Sequence, residues 1–254
     1  MSKPHPLPFP GFRWRGLTLQ LFAWVVLPLI AFLLLVTFGS LALHQRAMRT
    51  LVGERDERAA RTAARALSES LSYRSDTVQT LSLRVADGHP PQHVLFSSTF
   101  LAPDFDAGMA FFSPEGKLLA FIGDKSLWTM PTDAQKAELQ KMLTGVKKEP
   151  SFSSVIPSLN GSKPIVLVSA AANPNVPILV GAFYPSTIAE KILSDLFEAD
   201  AEGDLCLIAA NGQVLFSTRG DAPLSKPLDH PGVREALSGE SGTLYMPTDG
   251  GEHV

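Results

Sequence analysis

The chain has 254 residues, of which 45% are hydrophobic, and its formal net charge at pH 7 is −3. This length suits one or two domains, and without a general positive charge we expect no nucleic-acid partner. The only cysteine, Cys206, excludes an intramolecular disulfide and a zinc site made of cysteines. Because its neighbours are apolar, we expect this thiol to be buried and inert.

The N-terminus predicts a short tail at 1–16 followed by a membrane anchor at 17–43. Residues 1–16 are basic and rich in proline, which disfavours regular structure. Residues 17–43 contain no Asp, Glu, Lys or Arg, and about 20 apolar residues suffice for a helix to cross a bilayer. A signal peptide has an apolar core of only about 7–15 residues, so we predict an uncleaved transmembrane helix in the inner or plasma membrane, kinked at Pro28. Arginines lie on both flanks, and charge alone leaves the orientation open.

Residues 44–88 predict a long signalling or dimerisation helix that continues from the anchor. Small and apolar residues recur at alternating four- and three-residue steps, which is a heptad pattern, and Arg74 occupies one step. The other members are Ala60, Ala64, Leu67, Leu71, Val78, Leu81 and Val85. This stripe can pack on its own domain, form the seam of a parallel homodimer, or do both along different parts of the helix. Glycine and two prolines within 87–91 predict its end.

In residues 89–197 the spacing of apolar residues becomes that of β-strands, which predicts one α+β lobe. A short helix is followed by two strands around the turn sequence Ser-Pro-Glu-Gly at 113–116. A helix with a Thr132 cap, three strands in a meander with a turn at 160–162, and a final helix complete the lobe. The predicted strands are 108–112, 117–122, 151–156, 163–172 and 176–184, and the predicted longer helices are 132–143 and 185–197.

Residues 198–254 repeat the start of this pattern. A hairpin around Asn211-Gly212 joins strands 204–210 and 213–218, and a short helix at 232–237 and a strand at 242–246 follow. The last two strands of the first lobe have no counterpart before Val254. Since an open half-sheet is a poor end for a domain, we expect the sequence to be a fragment of a longer protein.

The order of these elements resembles the double Cache sensor domain of bacterial transmembrane receptors. The stretches that carry the resemblance are FFSPEGKLL at 111–119, PIVLVSA at 164–170, VGAF at 180–183, LIAANGQVL at 207–215 and HPGVREALSGESG at 230–242. The resemblance implies an α+β fold class, with two PAS-like lobes of antiparallel strands, the membrane-distal lobe at 89–197 and the truncated proximal lobe at 198–254. It also implies a cytoplasmic tail at 1–16, extracytoplasmic lobes, a small ligand in the distal lobe and a second membrane span. The implied output module belongs to a two-component system and is foremost a histidine kinase.

The family's ligand motif is incomplete in this chain. Amino-acid and amine binders of the family carry Arg-x-Trp-aromatic on the distal lobe and an Asp on its last strand, whereas residues 125–130 are KSLWTM and the strand ends GAFY. Without these charges we expect an unknown, weakly charged organic ligand, or a solid core without a pocket. The predicted ligand-binding residues are Phe111, Trp128, Ser169, Phe183 and Tyr184. Strand alternation places Ser169 on one face with Ile165, Leu167 and Ala171.

Catalytic and cofactor signatures are missing from the sequence. There is no phosphate-binding loop, dinucleotide fingerprint, H-E-x-x-H or G-x-S-x-G motif. His89 and His93 have helical ligand spacing, but two prolines lie between them. We therefore predict no catalytic site, metal or cofactor in this segment. The alternative to a sensor is a membrane-anchored binding or structural protein that dimerises without a signalling output.

Overall fold

The computed structural model describes residues 16–144, 149–156, 163–196, 205–218, 227–229, 232–244, 246–248 and 251–253. Residues 1–15 of the tail predicted at 1–16 lie outside these residues, and so does the predicted turn at 160–162. The chain divides into two compact units, Met1–Arg55 and Asp56–Val254.

The first unit is built on helix α1, which begins at Leu17, passes through Pro28 and ends at Ala86, in the second unit. Its apolar part near the N-terminus has a mean hydropathy of 2.7 and is not buried within the protein. By length and composition this helix can span a membrane. A helix that exposes apolar side chains all round is suited to lipid rather than to water.

In the second unit, α1 packs against its own domain. Val78, Leu81 and Val85 are buried in one core, and Leu67 and Leu71 pack against it. The first of the two interpretations of the heptad stripe is therefore confirmed over 67–85. Towards the apolar N-terminal part of α1 the pattern shifts, because the structure buries Ala63 and leaves Ala60 and Ala64 exposed.

A five-stranded antiparallel sheet forms the centre of this unit. The strands are β1 Gly108–Phe112, β2 Leu118–Gly123, β3 Ser151–Phe152, β4 Val166–Ala170 and β5 Ile178–Phe183. Their order across the sheet is β2-β1-β5-β4-β3. Helices α3 (Lys125–Thr129) and α4 (Asp133–Thr144) connect β2 to β3. The predicted sequence of two strands, a helix and three strands is confirmed, although β3 is only two residues long and α3 was not predicted.

Both faces of the sheet are covered. One face packs against α1 and helix α2 (Pro91–Ser97), and the other packs against α3 and α4. This explains why β1, β4 and β5 are buried along their whole length rather than on alternate residues. Close packing also fixes a glycine in β5, because a Cβ at Gly181 would lie 2.5 Å from ring atoms of Phe105.

Helix α5 (Pro185–Leu196) precedes the segment that the sequence predicts to be a second repeat. This segment contains strands β6 (Cys206–Ile208) and β7 (Val214–Ser217), helix α6 (Val233–Leu237), and the pair β8 (Met246–Thr248) and β9 (Gly251–His253). The predicted hairpin and short helix are confirmed. The predicted strand at 242–246 is displaced, since β8 begins only at Met246. Cys206 is half-buried rather than buried.

Candidate functional site

Helix α3 places Trp128 over the sheet. It starts directly after β2 because the Asp124 carboxylate caps it, accepting hydrogen bonds from the Ser126 N–H at 2.8 Å and the Ser126 hydroxyl at 2.6 Å. The bond from the Ser126 side chain is the main reason why the pKa of Asp124 lies below its usual value. One turn later Trp128 is only 4% exposed, and its ring centroid lies 6.2 Å from that of Phe112.

The indole N–H of Trp128 is buried and has no hydrogen-bond partner among the described residues. Leaving such a donor unpaired costs about 1–3 kcal/mol. The nitrogen lies beside the backbone of β1, since a Cβ added at Gly108 would be 3.0 Å from it. The same Cβ would lie 2.2 Å from the Ile122 carbonyl oxygen of β2. Gly108 also has φ +105°. The backbone geometry and the indole together therefore require glycine at this position.

Ser169 and Tyr184 belong to the same side of the sheet as Trp128. Ser169 is 3% exposed and its hydroxyl lies 3.3 Å from that of Ser151, its partner in β3. Tyr184 packs partly against the α3/α4 core, and its backbone N–H donates to Asp106 at 2.9 Å. Burial raises the pKa of the Tyr184 hydroxyl, and the carboxylates of Asp124 and Asp106 raise it further.

Phe111 and Phe183 lie on the opposite face. Both are buried in the core against α1, and strand pairing sets Phe111 beside Leu179 and Phe183 beside Val166. The five predicted residues therefore do not share one face: the structure brings Trp128, Ser169 and Tyr184 to the α3/α4 side and separates the two phenylalanines from them. Alternation along a strand was readable in the sequence, but the face that each strand turns towards α1 was not.

A second polar region, missed at the sequence level, is a cleft of about 330 Å³ that we name the Arg74 cleft. Its walls are α1, the connection between α2 and β1, and α5. Five charged side chains line it, and these are Glu69, Arg74, Asp104, Asp106 and Lys191. The volume lies at the lower end of the range of about 300–1,000 Å³ for small-molecule sites.

Arg74 is the buried anchor of this cleft, with 6% of its surface exposed. Its Nε donates to the Asp104 carbonyl at 2.8 Å, and its Nη1 donates to the Ser70 carbonyl at 3.0 Å and to the Ser70 hydroxyl. The guanidinium also lies 5.1 Å from the centroid of the Phe183 ring, a cation–π contact. Burial lowers the pKa of Arg74, and the Asp104 and Asp106 carboxylates oppose that shift.

The sequence contained one signal for this site. Arg74 occupies a step of an otherwise apolar heptad stripe, and a charged residue is rarely buried without partners. What could not be read was the identity of those partners, because Asp104 and Phe183 lie 30 and 109 residues further along the chain.

Comparison with known proteins adds no family to this description: no family model matches the chain, and no match is found among the curated proteins. The described residues contain no group of three or more His, Cys, Asp or Glu side chains placed to hold a metal ion. What the structure defines is an α+β protein whose N-terminal helix can span a membrane and then packs on a five-stranded antiparallel sheet.

Proposed function

We propose that the chain is the extracytoplasmic ligand-sensing module of a membrane-bound signal-transduction receptor of the double Cache type. The observation that carries the proposal is that one helix, α1, provides both the apolar span and the cover of one sheet face. The sheet supports it, because two strands, a helical crossover and a three-stranded meander are the arrangement expected of a PAS-like lobe.

The ligand site that we propose lies on the α3/α4 side of the sheet, at Trp128. A ligand oxygen that accepts from the unpaired indole N–H would remove the cost of burying that donor. Ser169 and Tyr184 lie on the same side of the sheet and carry neutral hydroxyls, which in our proposal contribute hydrogen bonds without a full charge. The site therefore favours a small, weakly charged organic molecule with at least one acceptor.

Signalling from this site requires a change in how α1 packs on the opposite face. A ligand shifts such an equilibrium only by the difference between its affinities for the two states. In our proposal the ligand-bound sheet alters its contacts with Val78, Leu81 and Val85, and α1 carries the change to the membrane span. The output module, a histidine kinase in the favoured version, belongs to the rest of the receptor.

The experiment is a thermal-shift screen of small organic molecules on the whole chain in lipid nanodiscs, since a ligand raises apparent stability by mass action. Each hit is then tested on Trp128→Phe, which keeps an aromatic ring and removes the N–H. Losing one hydrogen bond should weaken binding about five- to tenfold. The matched control is Trp24→Phe, the same change in an exposed residue of the apolar span. If every hit binds Trp128→Phe as tightly as the unchanged chain, the proposed site is wrong.

A second candidate function is a membrane-anchored binding or dimerisation protein without signalling output. The observation that favours it is the pair Phe96 and Phe100, each 76% exposed and four residues apart. Exposed aromatic residues of this kind are typical of protein contact surfaces. Phe96→Ser with Phe100→Ser should then abolish self-association in analytical ultracentrifugation, whereas a sensor whose dimer forms along α1 should keep it.

A further inference from the structure

We propose that the Arg74 cleft is a second binding site, separate from Trp128, and that it takes a small uncharged molecule rich in hydroxyl groups, such as a sugar or polyol. The site is formed by three segments of the second unit and needs no residue of the α3/α4 side of the sheet.

Arg74 carries more N–H donors than its hydrogen bonds to the described residues use. A guanidinium has five N–H groups. Nε uses its one N–H on Asp104, and Nη1 uses its two on Ser70. Nη2 makes no hydrogen bond within the part of the chain that the structure describes, and its nearest ionic contact is Asp104 Oδ1 at 3.9 Å. Two donors on a nearly buried cation are therefore left for an oxygen in the cleft.

The distance between Nη2 of Arg74 and Oδ1 of Asp104 limits the kind of oxygen that fits between them. A separation of 3.9 Å is too long for a direct hydrogen bond, but it is short enough for one oxygen to bond both atoms. Such an oxygen must accept from Nη2 and donate to the Asp104 carboxylate. A hydroxyl group can do both, whereas a carboxylate cannot donate and an ammonium cannot accept.

The charges around the cleft lead to the same class of ligand. Two cations, Arg74 and Lys191, face three carboxylates, Glu69, Asp104 and Asp106. An anionic ligand would be repelled by the three carboxylates. A cationic ligand would be repelled by the buried guanidinium, which hydrogen bonds to Ser70 hold in place. A neutral ligand adds no charge to this set and can bond groups of both signs through its hydroxyls.

The rest of the wall suits the carbon skeleton of such a molecule. Ala66 on α1, Pro103 in the connection and Ile188 and Ile192 on α5 are apolar, and Thr187 also lines the cleft. A sugar ring presents C–H groups to apolar side chains and hydroxyls to polar ones. A few convergent polar groups on an apolar wall are typical of sites for small molecules.

The test uses the whole chain in nanodiscs and four probes: D-glucose and glycerol as neutral hydroxyl compounds, and acetate and methylammonium as charged ones. Saturation-transfer NMR reports binding directly. We expect signals from at least one neutral probe and none from the charged probes. Asp104→Ala should weaken that binding about tenfold, because it removes a hydrogen bond to a charged group, while the backbone carbonyl that holds Arg74 is kept.

Two controls separate this site from general effects. Asp133→Ala is the same change at a fully exposed position on α4, and it should leave binding unchanged, as should Trp128→Phe. If Asp104→Ala prevents folding, Glu69→Gln tests the same cleft from α1. The proposal is overturned if neither neutral probe binds, if a charged probe binds in its place, if Asp133→Ala has the effect of Asp104→Ala, or if Trp128→Phe abolishes the signal.

Discussion

Both faces of the five-stranded sheet are buried under helices, but the buried polar group that we compare differs between them. On the α3/α4 side this group is the indole N–H of Trp128, a neutral donor without a partner among the described residues. On the α1 side it is Arg74, a charge that is stacked on Phe183 and hydrogen-bonded through two of its three nitrogens. A neutral orphan donor needs only one acceptor, whereas a buried cation needs several partners. The partners of Arg74 accordingly come from α1 itself, the connection before β1 and the end of β5.

The largest loss in the free energy of unfolding should come from a side chain added at Gly108, in the backbone beside Trp128. Gly108→Ala adds a Cβ that would lie 2.2 Å from the Ile122 carbonyl oxygen at a residue with positive φ. Strain and overpacking together should lower the free energy of unfolding by about 3–5 kcal/mol in urea denaturation. The control is Gly88→Ala, which has φ +94° but open space around it, and it should cost only about 1–2 kcal/mol. Equal losses would show that the close approach of the strands does not matter.

Removing the charge on the α1 side should have the next largest effect. Arg74→Met keeps most of the side chain's length but loses the hydrogen bonds to Asp104 and Ser70, at a cost of about 2–3 kcal/mol. Arg61 provides the comparison, because it pairs with Glu57 on the exposed surface of the same helix, and Arg61→Met should cost at most about 0.5 kcal/mol. A loss for Arg74→Met no greater than that of Arg61→Met would contradict the anchoring role.

The cap of α3 should give a smaller effect that depends on pH. The folded state lowers the pKa of Asp124, so this carboxylate stabilises the fold above its unfolded pKa of about 3.9 and loses that contribution as the pH falls further. Asp124→Ala should cost about 1 kcal/mol at neutral pH and less near pH 3, as measured by urea denaturation. Asp76→Ala, an exposed position on α1, is the control. A loss for Asp124→Ala that is the same at both pH values would exclude the linkage.

The smallest expected effect is a difference in crosslinking between two neighbouring positions of α1. If the chain forms a homodimer along α1, the contact must use residues that the domain leaves exposed. In a chain with Cys206→Ser, cysteine at Ala64 should form disulfide-linked dimers in membranes, and cysteine at Ala63, which is buried against α5, should not. The measurement is a non-reducing gel after mild oxidation. Equal crosslinking at both positions would show that this part of α1 does not form the homodimer contact.

The sequence predicted the elements whose causes are local. The hairpin of β1 and β2 follows from the turn Ser113–Gly116, where the Gly116 N–H bonds the Ser113 carbonyl at 2.8 Å. Helix α4 follows from a reciprocal cap, in which Thr132 and Gln135 each accept from the other's backbone N–H. The end of α1 at Ala86 follows from the glycine and prolines after it. Each of these features depends on residues fewer than ten positions apart.

What the sequence could not predict depends on long-range placement. Phe111 and Phe183 were grouped with Ser169, but strand pairing turns them towards α1. Helix α3 has only five residues and forms because Asp124 caps it and the sheet buries Trp128. The Arg74 cleft needs α1, the connection before β1 and α5 to meet, and no local pattern encodes that meeting.

A ligand bound at Trp128 should change the packing of α1 on the other face of the sheet. Amide hydrogen exchange of the chain in nanodiscs, with and without a hit from the thermal-shift screen, measures this directly. We predict that the ligand changes exchange both in α3 and in α1 over residues 71–85, and that Trp128→Phe loses both changes together at the same ligand concentration. Changes confined to α3 and α4, with exchange in α1 unaltered at saturating ligand, would contradict the account.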